Sequence, residues 1–125
     1  MVRSVASMIV VAVILTVGAI YETNFVKKQF TDFSAAIECV YEKVDEKIAT
    51  EDDVYALQKS WLEKKRYLHI FIPHNEIKEV DLWLAESIKL VREEKWEDAL
   101  SKMEVLKELA EQIPKTFKVS PENIF

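Results

Sequence analysis

Glycine is nearly missing from this sequence: Gly18 stands alone among 125 residues, beside three prolines and a single cysteine. Each scarcity closes off a class of structure. Without glycines there is no phosphate-cradling loop and no Gly-x-Ser-x-Gly nucleophile turn, which counts against nucleotide binding and nucleophilic hydrolysis. The sandwiches and barrels that rely on repeated Gly and Pro turns are disfavoured for the same reason. Cys39 has no second thiol to pair with, so neither an intramolecular disulfide nor a multi-cysteine metal site can form. It also stands too far into the chain to be a lipoprotein acceptor, and it reads as a small hydrophobe on a helix face.

Net positive charge is lacking as well. The whole chain sums to −5, and past residue 21 there remain 16 Lys and Arg against 22 Asp and Glu, a net −6. That balance repels a nucleic-acid backbone, so no nucleic-acid partner is expected. The one basic run, Lys64-Lys65-Arg66, is spread around a helix and reads as a solvated face.

What the chain has in quantity is Glu, Lys, Leu and Ala, all good helix formers. It also has one long uncharged run, Ser4 to Tyr21, built around MIVVAVILTV. As a helix those 18 residues measure about 27 Å, close to the ~30 Å hydrocarbon core of a bilayer. A cleaved secretory signal is the rival reading, with Arg3 as n-region and Val17-Gly18-Ala19 as the cut. Retention is favoured by the minimal n-region and by Tyr21, an aromatic of the interfacial kind. Arg3 and the amino terminus should stay in the cytoplasm, placing the remainder outside the cell membrane. The expected division is a signal anchor over 1–21 and a helical extracytoplasmic domain over 22–125.

Within that domain, Val26, Phe30, Phe33, Ile37, Val40, Val44 and Ile48 recur every three or four residues, one stripe of a helix over about Thr23 to Ala49. No Gly or Pro separates it from the apolar run, so the two can form one rod. Thr50 with Asp53 forms a capping box that opens a second helix, Glu51 to Phe71, which Pro73 ends. Asn75 is the expected N-cap of a third, carrying Ile77, Val80, Leu84, Ile88 and Val91. Trp96 to Ile113 makes a fourth, stopped by Pro114, and Ser120-Pro121-Glu122 looks like one more helix start. A helical-repeat hairpin is the alternative for the last pair, but a repeat array needs about three units. The expected fold is therefore all-α, an N-terminal transmembrane helix followed by an antiparallel four-helix bundle.

Chemistry has few places to sit. His74 and Glu76, at the junction of helices two and three, are the candidate metal or acid/base pair, and His69 is the only other histidine. Residues two apart on a helix do not face each other, so the favoured reading is structural: Glu76 meets the helix dipole and His74 bonds a carbonyl freed by Pro73. No catalytic residue, cofactor or metal is expected. Trp61, Trp83 and Trp96 read mainly as core, with Trp83 the candidate partner anchor if it is exposed.

Taken together, the apolar start, Tyr21-Glu22 leaving it, and Phe71-Ile72-x-His74-x-Glu76-Ile77 before a terminal Glu122-Asn123-Ile124-Phe125 resemble a small Firmicutes family known as domain of unknown function 4363. The resemblance implies a membrane-anchored helical protein of a spore-forming or related Gram-positive bacterium and supplies no activity. The functional expectation is a noncatalytic interaction or accessory module for an unknown membrane or envelope protein, or for a second copy of itself. The alternatives are a metal sensor or enzyme built on His74 and Glu76, and a secreted helical protein cut after Ala19.

Overall fold

The computed structural model describes residues 2–116, and among them there are four helices and no strand. Helix α1 spans Val2–Asp45, α2 Glu51–Leu68, α3 His74–Arg92 and α4 Trp96–Thr116. The apolar run and the first bundle helix are one element of 44 residues, about 66 Å long. No proline interrupts it, Gly18 is its only glycine, and Thr16 and Thr23 donate their hydroxyls to the carbonyls four residues back, which leaves the backbone ladder in place.

Burial divides this rod. From Val2 to Tyr21 its large apolar side chains are exposed, whereas from Val26 onward every stripe residue through Val44 is buried. The buried stripe meets α2 and α4, and α3 closes the ring by packing on α2 and α4. Short connections make successive helices antiparallel, as cross-helix pairs record for α1 and α2: Lys43 meets Asp53 at the start of α2 and Phe25 meets Phe71 just past its end, while Lys107 with Glu38 ties α4 to α1. Helix α4 lies along the buried second half of α1 and along α3, while α2 is held less extensively.

Trp61 is the largest side chain at the centre. It is 1% exposed, its ring stacks on Phe33 with centroids 4.9 Å apart, and it leans on Phe30 at 6.3 Å. Its polar edge is also satisfied, the indole Nε1–H donating to Asp81 Oδ1 at 2.7 Å.

The helix ends explain where the pattern of the sequence broke. Both far connections close without glycine, because Lys47 and Glu94 adopt the left-handed conformation, with φ of 60° and 57°. In each, the following amide reaches back five residues (Ile48 to Lys43, Lys95 to Leu90), while Lys47 and Glu94 themselves bond Val44 and Val91. That is the Schellman arrangement. Ile48, expected in the core stripe, therefore lies beyond the helix end and is exposed.

At the other end, α2 stops at Leu68, three residues short of the expected Phe71, and tight turns carry the chain through Phe71 to Pro73. The N-cap of α3 is Pro73, not Asn75. Its carbonyl accepts from the amides of Glu76 and Ile77, and no side chain caps the helix. Pro114 sits inside the last turn of α4 without stopping it there, since a missing N–H so near the helix end costs one bond. The helix start expected at Ser120-Pro121-Glu122 lies outside the described residues.

Candidate functional site

The α2–α3 corner was the sequence's candidate for chemistry. Leu68, Ile72 and Ile77 are buried beneath it, and Phe71 is half-buried, edge-on to Phe25 with ring centroids 6.1 Å apart. These anchors fix the turn, and the polar residues ride on top. His74 is the first residue of α3 and exposed, and Glu76 is half-buried in its first turn, where a carboxylate complements the positive end of the helix. The two follow each other along the backbone but not on one face. The other histidine, His69, places Nδ1 3.2 Å from the Lys65 carbonyl, which already accepts the His69 amide, and its Nδ1–H tautomer donates there. Among the described residues, no three His, Cys, Asp or Glu side chains come together as a group that could hold a metal ion.

Trp83 is neither deep core nor a free anchor. It is half-buried on α3, its Nε1–H donates to Glu79 Oε2 at 3.1 Å, and the Lys102 ammonium stands 4.9 Å from its ring centroid. A partner meeting this face would find Leu82 exposed next to a ring already in contact with α4.

The basic run proved more than a solvated face. Lys65 Nζ reaches Asp81 Oδ2 at 2.7 Å, so that Asp81 on α3 receives both Lys65 and Trp61 from α2. Lys64 donates across to Gln29 of α1 at 3.4 Å. Lys65 interrupts the apolar stripe of α2 because its stem lies along the bundle while its ammonium meets an acid on the next helix. The only hint in the sequence was the four-residue spacing of Trp61 and Lys65.

Further polar clusters tie α1 to its neighbours. At the α1–α2 connection, Asp53 accepts from Lys43 at 2.9 Å and from the Thr50 amide at 2.9 Å, completing the capping box. The Lys43 ammonium, then the Thr50 amide, hold the Asp53 carboxyl below the ordinary carboxylate range. On the α1–α4 seam, Lys107 meets Glu38 at 2.6 Å with its ammonium 4.5 Å from the Tyr41 ring centroid. The Glu38 carboxylate raises the Lys107 ammonium, and a hydrogen bond to Glu104 raises the Tyr41 phenol. Lower on the same seam, Thr23, Lys27, Phe30 and Thr31 face Ala110, Glu111, Pro114 and Lys115 across an open groove of about 490 Å³. These are groups that fasten helices together. Cys39 is a free thiol, exposed on α1.

The sequence profile of a domain of unknown function, DUF4363, matches residues 20–124. No match is found among curated proteins or among solved structures. With the match covering most of its length, the chain belongs to the DUF4363 family.

Proposed function

We propose that this DUF4363 protein is a noncatalytic accessory module, held in the cell membrane by the first part of α1 and presenting its bundle on the extracytoplasmic side. The observation that carries the reading is the burial pattern of one unbroken helix. Its first 20 or so residues form a segment long and apolar enough to cross a membrane and buried by nothing in the fold, and its remainder is the backbone of a filled core. An apolar surface of that extent in water is strongly unfavourable, at about 25 cal/mol per Å². A bilayer removes the cost.

Orientation follows from charge. Arg3 and the amino terminus lie on the short side, and the positive-inside rule keeps them in the cytoplasm. The partner in this reading is a membrane or envelope protein, or a second copy of the chain, meeting an exposed face of the bundle.

The test is crosslinking in isolated membranes, with photoreactive side chains placed on exposed bundle positions such as Leu82, followed by purification of the full-length chain. A discrete crosslinked protein or homodimer is the expected result. The absence of both a crosslinked partner and an oligomer above background would contradict the reading.

A further inference from the structure

The end of the bundle nearest the apolar segment carries a feature that core packing does not use. Ile70 is 70% exposed at the α2–α3 turn, and Tyr67 one turn before it is also exposed. In water an isolated exposed isoleucine needs no explanation, but the position of this one is fixed relative to the anchor. Its neighbour Phe71 packs edge-on against Phe25. Phe25 stands one helical turn, about 6 Å along α1, past Tyr21, where the uncharged run ends. The headgroup layer extends roughly 5–8 Å beyond each side of the hydrocarbon core. A continuous α1 that crosses the bilayer thus brings the α2–α3 turn down to headgroup level.

Charge is distributed to match. The near corner balances Arg66 and Lys78 against Glu76 and Glu79 and adds both histidines, whereas the far connections are net acidic. Lys43 and Lys47 stand against Asp45, Glu46, Glu51, Asp52 and Asp53 at one, and Arg92 and Lys95 against Glu93, Glu94, Glu97 and Asp98 at the other. An anionic lipid surface repels the second end and tolerates the first.

Resting on the anchored reading above, we propose that the α2–α3 corner is a lipid-contact site, with Ile70 and Tyr67 seated in the headgroup layer of the membrane that α1 crosses. The bundle then stands with one edge on the lipid, and an aliphatic and an amphipathic aromatic side chain occupy the layer that suits them.

The experiment places an environment-sensitive fluorophore on single cysteines of the full-length protein, in a Cys39→Ser background. The protein is reconstituted in phosphatidylcholine vesicles with a minority of phosphatidylglycerol, and quenching by headgroup-spin-labelled lipid is read at Ile70→Cys. Ile20→Cys is the membrane reference and Glu97→Cys the far-end reference; all three positions are exposed, so the fold is retained, and circular dichroism checks it. The expected result is quenching at position 70 at least half that at position 20 and several-fold above that at position 97. Position 70 no more quenched than position 97, with position 20 strongly quenched, overturns the lipid contact and leaves the anchor standing. No quenching at any of the three overturns both. A concentration-dependent blue shift at position 70 without quenching assigns the corner to a second copy of the chain and overturns the lipid contact.

Discussion

Replacing Trp61 with alanine tests the packing account where it is most exposed to failure. The ring is buried between α1, α2 and α3, and removing it deletes the stack on Phe33, the contact with Phe30 and the donor to Asp81. Large-to-small changes of a buried aromatic cost about 3–5 kcal/mol, the spread reflecting how far the cavity collapses. The lost hydrogen bond adds no more than about 1 kcal/mol, because Asp81 keeps Lys65 at 2.7 Å and both side chains are about one-third exposed. With a total near 4 kcal/mol and a shift of about 4–8 °C per kcal/mol for a domain of this size, Tm should fall by about 15–30 °C. The assay is thermal unfolding of the full-length protein in detergent micelles, followed by far-ultraviolet circular dichroism, with Trp83→Ala as the companion. Trp83 is half-buried, so its loss should cost about 1 kcal/mol or less. A fall of under about 5 °C for Trp61→Ala, or equal falls for the two variants, would refute Trp61 as the centre of the core.

Asp53 links stability to pH. Its carboxyl is depressed in the folded protein, so its contribution is fully present above the unfolded value near 3.9 and is lost as pH falls through the lower folded value. Asp53→Asn should therefore be less stable than the parent at pH 7 by about 1 kcal/mol, the usual worth of such a cap, and urea midpoints of the two should converge below about pH 4. Lys47→Gly and Glu94→Gly should each stabilise by about 0.5–1 kcal/mol, since both residues hold left-handed φ that glycine adopts freely. Unchanged or lowered melting temperatures in both would count against the Schellman assignment. His74→Ala should leave metal content and stability unchanged; loss of a stoichiometric metal, measured by elemental analysis of purified protein, would revive the metal-sensor alternative.

The four helices and their core faces were legible in the sequence because the periodic signal is local. Val26 to Val44 on α1 and Ile77 to Val91 on α3 repeat every three or four residues without ambiguity, and the Thr50–Asp53 capping box is a contact between near neighbours in the chain. What could not be read locally depended on partners distant in sequence or on backbone conformations without a residue signature. Lys65 looked like a flaw in its helix face until Asp81, 16 residues on, was brought beside it. Ile48 matched the stripe, but the left-handed turn at Lys47 removed it, and a lysine there announces no turn. Asn75 has the chemistry of an N-cap, yet Pro73 carries the extended backbone that starts α3. At the candidate site, the spacing of His74 and Glu76 already argued that they diverge, while the role of Phe71 in fixing the corner against Phe25 appeared only once α1 and α2 were packed.

Cys39, the only cysteine and exposed on α1, allows the anchored, outward-facing arrangement to be tested in a single measurement. Intact cells are treated with a membrane-impermeant maleimide, and the mass of the chain is read from carbonate-washed membranes. An anchored, outward-facing protein is recovered as a full-length chain carrying one label. A chain beginning at Ile20 and recovered in the soluble fraction, or a full-length chain that takes up the label only after lysis, would contradict that arrangement.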